Sequence, residues 1–471
     1  MPERERHREP SDDGDEWRKP NRLVPTVEIA VGLTFGGIEY WLRNHPPRVG
    51  LTTWPERVAT SEWLVLDDDP MYFNHLNHAL AGAFYHLAAR TNDLGMAEAT
   101  LYNLLGSLIW EYVIEYDRSV DLNDLIFTTP AGLALGEFGH SLGRLVHQQP
   151  AEPGWITAAW TVGLPQSFHD ALRRVTGPRG PEVAHRFRLS LGTSRARGTT
   201  TRGVDTDRET RSLVQLRLGG SLARMDDLEP AGRRWRGFTD GNFVTVDAAV
   251  SADATGDFGV FFFSDTLVAG WRYTDIAVGR ERGLAVNLGS ALAWRYQSEE
   301  FDTWRDQIGM AHLPGLAADT ALWGPNWRLE TTARIHPDYG GVSARSHPMW
   351  AAANPGEVGW SSLEEEGYYH AWGVSGRLRA ELTIPHLRAG AEVFAGGYRN
   401  HRGRDVREEE LTIKQRVASQ ALDYDLWLSG TLTETWFVEA RLQTRHRWEE
   451  FEDLDARARF LSAGLELGAA F

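Results

Sequence analysis

From about Val183 to Phe471 the chain alternates apolar and polar positions with a period of two, in runs of ten or more residues. Successive side chains of a strand point to opposite faces, so each run predicts a strand with one apolar and one polar face. Val214, Leu216, Leu218 and Leu222 alternate with Gln215, Arg217, Gly219 and Ser221. Leu284, Val286, Leu288, Leu292, Trp294 and Tyr296 oppose Asn287, Gly289, Arg295 and Gln297. Trp372, Val374, Leu378, Ala380, Leu382 and Ile384 oppose Ser375, Arg377, Arg379, Glu381 and Thr383. Trp436, Val438, Ala440, Leu442 and Trp448 oppose Glu439, Arg441, Gln443, Arg445 and Arg447. Soluble strands average about five or six residues; these are longer, and aromatics end their apolar faces as the girdles of a membrane barrel require. The alternating segments number about twelve, within an even range of roughly ten to fourteen. The stretch from Asp257 to Trp327 is ambiguous.

The last run sharpens the location. Leu461, Ala463, Leu465, Leu467, Ala469 and Phe471 share one face, and the chain ends on the aromatic residue. Such a strand resembles the closing strand of bacterial outer-membrane β-barrels. The resemblance implies outer-membrane localisation, outer-membrane lipids as partners, and recognition of the Phe471 strand by the barrel assembly machinery. Export requires a signal, and Met1–Glu16 has no apolar core. The signal is therefore expected to be removed, or to lie upstream of the given start.

Upstream the period changes. Val24–Leu42, Phe73–Arg90, Met96–Tyr116 and Asn123–Val146 read as helices, with Asn123 as N-cap of the last and Pro130 as a kink or break within it. Gly132, Gly136, Gly139 and Gly143, with Gly82 and Gly106, give small residues at close-packing spacings, so a tight bundle is expected. The expected organisation is a disordered tail over 1–21, a Gly-rich all-α domain over 22–150, a connector over 151–182 and an antiparallel membrane β-barrel over 183–471.

Composition narrows the function. A net charge of −16 argues against nucleic acid as a partner, and the lack of cysteine removes disulfides and thiol chemistry. Inward positions Arg377, Arg379, Glu381, Arg441, Arg445 and Arg447 predict a lumen charge network that blocks passage or lines a path for an anion. Open aqueous channels take about sixteen strands. In the helical part His75, His78, His86, Glu111, Glu115, Asp121, Asp124, Glu137 and His140 stand on otherwise apolar helices. They either satisfy one another in a packed bundle or converge into a site, with His75 or His78 as general base and Glu111 and Asp124 orienting it or holding a metal. No compact ligand motif is present, so neither metal nor cofactor is expected.

One series of residues is distinctive. Asp67-Asp68-Asp69-Pro70 is followed by Asn74-His75, His78, Gly82, Ala89-Arg90, Gly106-Ser107 and Trp110-Glu111-Tyr112. Asn123-Asp124, Leu125-Ile126, Thr128-Thr129, Gly132 and Leu135-Gly136-Glu137 continue it, and Leu164–Phe168 closes it. Over about Val24–Gly177 this resembles an uncharacterised Gram-negative family of unknown function that joins a helical N-terminal region to an outer-membrane barrel. Ala79 departs from that pattern, where proline follows the histidine. The expected role is a structural or restricted-transport barrel whose helical domain caps or plugs the lumen. The alternative is an outer-membrane enzyme acting on lipid or another envelope substrate through His75, His78, Glu111 and Asp124.

Overall fold

The computed structural model describes residues 20–43, 55, 64–67, 69–116, 119–150, 152–173, 183–223, 231–241, 243–301, 304–354, 362–400 and 416–471. The charged tail before residue 20 and the end of the connector lie outside them, as does Asp68.

Twelve antiparallel strands form a closed meander in which every strand pairs with its neighbours in sequence. They are β1 (Ala184–Arg202), β2 (Asp205–Ala223), β3 (Gly232–Phe238 and Phe243–Asp253), β4 (Phe258–Ile276), β5 (Gly283–Phe301) and β6 (Trp304–Gly324). The remainder are β7 (Trp327–Ser343), β8 (Tyr368–Ile384), β9 (Leu387–Asn400), β10 (Val417–Thr431), β11 (Trp436–Phe451) and β12 (Leu454–Ala470). β12 closes on β1, from Ala456 opposite Arg202 to Ala470 opposite Arg188. Phe471 and Phe187 then exchange backbone hydrogen bonds of 3.0 and 2.8 Å, and their rings stack. The mouth that holds Ala184 and Ala470 is called the near mouth here, and the opposite one the far mouth.

β3 is one strand position filled by two segments. Gly232–Phe238 pairs with the second half of β4 and Phe243–Asp253 with the first half. Asp240 and Gly241, at φ 85° and 65°, turn the chain out of the ladder between them. The ladders also slip at β5–β6 and β6–β7, where Pro314 and Pro337 sit. A proline cannot donate to a ladder, so it is tolerated at such bulges.

Cross-barrel ion pairs fix which face is inside. Arg295 on β5 reaches Asp423 on β10 at 2.6 Å, Arg447 on β11 reaches Asp306 on β6 at 2.9 Å, and Arg334 on β7 reaches Asp265 on β4 at 2.9 Å. Strands so far apart in the ring meet only through the lumen. By alternation, Ser264, Trp294, Gly309, Gly341, Tyr368 and His370 point outward.

The helices are α1 (Leu23–Arg43), α2 (His78–Arg90, entered through a π-helical turn at Phe73–Asn77) and α3 (Met96–Ile109, continued by a π-helical turn at Trp110–Ile114). α4 (Leu122–His147), α5 (Pro153–Thr161) and α6 (Leu164–Arg173) follow. α4 runs as one helix through Pro130, so the chain is not broken there; it packs on α2 on one side and on the barrel wall on the other. Asn123 is not its cap; Asp121 holds that position and Asn123 is turned to Asp67 instead. Ala79 lies buried inside α2, so no turn forms there. α2 and α4 run parallel and touch at glycines. A Cβ on Gly132 would lie 2.4 Å from the Gly82 backbone.

The described N-terminal helices, α1 to α6, lie against the outer wall rather than in the lumen. They pack on outward-facing residues. Trp294 Nε1 donates to the His75 carbonyl at 3.2 Å, Ser264 Oγ donates to the Ala134 carbonyl at 3.0 Å, and Gly309 and Gly341 make room for the His75 ring. Near the other end of α4, Leu145 packs with Val183, Phe187, Leu222 and Val244 at the near mouth. α4 thus lies along the outer wall for most of the barrel's height. The described parts of the β7–β8 connection, which form two short helices, α7 (His347–Ala353) and α8 (Ser362–Glu365), fold into the far mouth. Trp350 and Leu363 pack with inward-facing Ile308, Met310, Tyr369 and Phe451, while the backbone amides of Arg345 and Ser346 both donate to Glu449 at 2.7 Å.

Candidate functional site

Three of the four residues proposed from sequence come together. The short parallel bridge between Leu64–Val65 and Val120–Asp121 brings Asp67 beside the start of α4. There Asp67, Asp121 and Asp124 place carboxylate oxygens within 4.8 Å of one another, and Glu111, Glu115 and Asp121 do the same. Glu111 Oε2 accepts the Asp121 amide at 2.9 Å, and His78 Nε2 lies 3.2 Å from Asp124 Oδ2. Asn123 clamps the group by donating to Asp67 at 3.0 Å and to Asp124 at 2.7 Å. Asn74 adds a 2.5 Å bond to Asp67 and a 2.8 Å bond to the Tyr368 hydroxyl of the barrel.

His75 stands apart from His78. Its Nδ1–H donates to the Met71 carbonyl at 3.1 Å, and its ring lies between Phe127, Tyr368 and His370. Burial, with His370 adding to it, lowers its pKa well below the usual histidine range, so it is a neutral ring wedged against two barrel glycines. His370 Nε2–H donates to the Asp67 carbonyl at 3.0 Å and so ties the cluster to β8.

Burial first, then the neighbouring carboxylates, push Asp121 and Asp124 well above the usual carboxylate range. Burial lowers His78 to about 4. The close approach of His78 to Asp124 is therefore a neutral imidazole beside a carboxyl rather than an ion pair. A carboxyl whose pKa is raised by folding contributes stability at low pH that is lost as pH rises through the folded value. Asp124→Asn keeps the shape and removes the titration. It should raise the thermal midpoint by a few degrees at pH 8 and by nothing near pH 4, read by circular dichroism in detergent. A fall at pH 8 would mean that the carboxylate charge is used, as in holding a hard cation with oxygen ligands.

A second buried group holds the bundle to the barrel, and sequence spacing did not reveal it. Glu137 meets His86 Nε2 at 2.7 Å and Arg90 Nε at 2.5 Å. Arg90 Nη1 also reaches Asp240 at 2.9 Å in the break of β3, and Asp240 Oδ1 accepts the Met96 amide at the start of α3 at 2.6 Å. The signal available was the pair Asp240-Gly241, a turn interrupting a strand pattern.

In the lumen all six predicted residues are paired. Arg377 binds Glu392 at 2.7 Å, Arg379 meets Glu381 at 3.2 Å, Arg441 meets Glu439 at 2.5 Å, Arg445 binds Glu299 and Arg447 bridges Asp306 and Asp423. Sequence reading missed the carboxylates Glu299, Asp306, Glu392 and Asp423, and Arg295. The near mouth opens on a vestibule of about 840 Å³ flanked by Arg186, Arg188, Arg388 and Glu330. A second, smaller pocket of about 60 Å³, lined by Asp247, Arg295, Glu299, Glu392, Asp423 and Arg445, shares Arg217, Asp247 and Arg377 with it.

Fold and site together define a membrane β-barrel of twelve strands that carries a helical bundle on its wall. Residues 63–164, which include the acidic cluster and most of the bundle, match the family described as Domain of unknown function (DUF3943). No curated protein matches the chain. Among solved structures it is similar to the translocator domain of the autotransporter NalP from Neisseria meningitidis, at 12% identity over 66% of this chain and 97% of that one, TM-score 0.22. It is also similar to the transport unit of the autotransporter AIDA-I from Escherichia coli, at 10% identity over 59% and 89%, TM-score 0.23. An outer membrane channel from Pseudomonas putida F1 follows at 8% identity over 61% and 95%, TM-score 0.25. Closure and strand number rest on the pairing within this chain.

Proposed function

We propose that the protein is a sealed outer-membrane β-barrel that serves as a scaffold in the envelope, holding the helical bundle against its wall. One observation carries this reading. The lumen is crossed by arginine–carboxylate pairs between distant strands, and the described parts of the β7–β8 connection fold into the far mouth. Insertion would engage the barrel assembly machinery through the closing strand at Phe471, and the apolar wall would meet outer-membrane lipids. Purified full chain reconstituted in planar bilayers should give no unitary conductance steps in concentrated potassium chloride. Stable, reproducible steps from the unmodified protein would overturn the sealed-lumen reading.

A further inference from the structure

We infer that the helical bundle is seated within the hydrocarbon layer beside the barrel, with lipid acyl chains covering its outer face. The inference rests on the reading of the barrel as membrane-inserted and goes beyond it. The first ground is height. Tyr339 pairs in register with Ala311 on one side and Trp372 on the other. Tyr339 and Ala311 are covered in the cluster that includes Phe127, Ala131 and Ala134 of α4, whereas Trp372 at the same level is exposed on the wall. Wherever the wall meets lipid, these helices meet it too.

The second ground is the surface they present. α1 exposes Leu23, Val27, Val31, Phe35, Ile38 and Leu42, and between Arg22 and Glu39 none of its exposed positions is charged. α3 exposes Leu101, Leu104, Leu105, Ile109 and Val113, again with no charged residue among its exposed positions. Its Glu98 is turned to Arg22 at 2.7 Å. A domain bathed in water does not offer contiguous apolar surface on this scale. The third ground is hydrogen bonding. Thr26 and Thr34 donate to carbonyls four residues back at 2.7 Å each, and Thr157 and Thr161 do so at 2.9 Å. Hydroxyls on the outward helices are thus satisfied within their own helix, as a medium without water demands. Among the described residues no helix is long and apolar enough to cross a membrane. The bundle is held at membrane depth by the barrel, through Trp294, Ser264 and the Arg90–Asp240 pair.

The chain has no cysteine, so single reporters can be placed freely. Nitroxide labels at Val31→Cys, Phe35→Cys and Leu104→Cys, in full-length protein in phosphatidylcholine liposomes, report collision with oxygen and with a water-soluble nickel chelate. Leu465→Cys on the barrel wall and Val204→Cys in the β1–β2 turn, 63% and 97% exposed, set the lipid and water references. At all three helix sites oxygen should dominate severalfold, as at Leu465. Nickel access like that at Val204, or protection from both reagents by a protein partner, overturns the inference. If the Leu465 site itself collides with nickel, the failure lies with the membrane barrel and not with the bundle.

Discussion

Replacing Arg447 by methionine should cost the barrel about 3 kcal/mol, the lower end of what breaking a buried ion pair costs. The guanidinium is almost wholly buried and donates to Asp306 at 3.0 and 2.9 Å and to Asp423. Without it two carboxylates stay in the lumen with fewer donors. Each keeps one arginine, Arg345 for Asp306 at 2.5 Å and Arg295 for Asp423 at 2.6 Å, which is why the loss is not larger. Arg447→Lys should recover part of it, since an ammonium keeps the charge but not the planar fork. Urea midpoints of the folded, heat-modifiable band on gels check both. Equal stability of Arg447→Met and the parent would show that the lumen network is not structural.

Gly132→Leu should loosen α2 from α4 within the helical bundle while leaving the barrel folded. A side chain there meets backbone, with Gly82 Cα and C at 2.4 Å and the Ala83 nitrogen at 2.8 Å, and backbone cannot rotate aside. Overpacking usually costs about 1–3 kcal/mol, and contact with backbone takes the upper end. Gly139→Ala, seven positions along the same helix, is the control. Its Cβ would meet only the Leu87 side chain at 3.3 Å, which can shift. The expected readout is a heat-modifiable barrel band in both variants, with trypsin releasing helical fragments from Gly132→Leu alone. Comparable protease resistance of the two variants would contradict the glycine contact between α2 and α4.

The strands from β9 to β12, and β8 from Trp372 onward, were legible because their outer faces meet none of the described helices and their inner faces carry charge, so alternation stands clear. The ambiguous stretch from Asp257 to Trp327 has a physical cause. In Phe261-Phe262-Phe263 the outer residues of the triplet point inward, Phe261 beneath Arg295 and Phe263 beneath Arg377, while Phe262 faces the helices. On β6, Ile308 and Met310 point inward against Trp350 and Leu363 of α7 and α8, while Ala311 lies under α4. With apolar residues on both faces the period of two disappears, and its loss marks where the wall is covered. The glycines predicted close helix packing but not the wall as the second partner. His78, Asp124 and Glu111 could be grouped from helix spacing. Asp67 reached them only through the short parallel bridge, and Asp240 reached Arg90 across 150 positions, so no local pattern gave either contact.

The central claim is that the bundle lies on the outer wall of a closed barrel. Ser264 Oγ stands 3.0 Å from the Ala134 carbonyl, across that contact. The double variant Ser264→Cys, Ala134→Cys, oxidised in membranes, tests it most directly. The structure predicts a disulfide between β4 and α4, seen as a reducible mobility shift. Two free thiols that a water-soluble maleimide modifies in the intact membrane would contradict it.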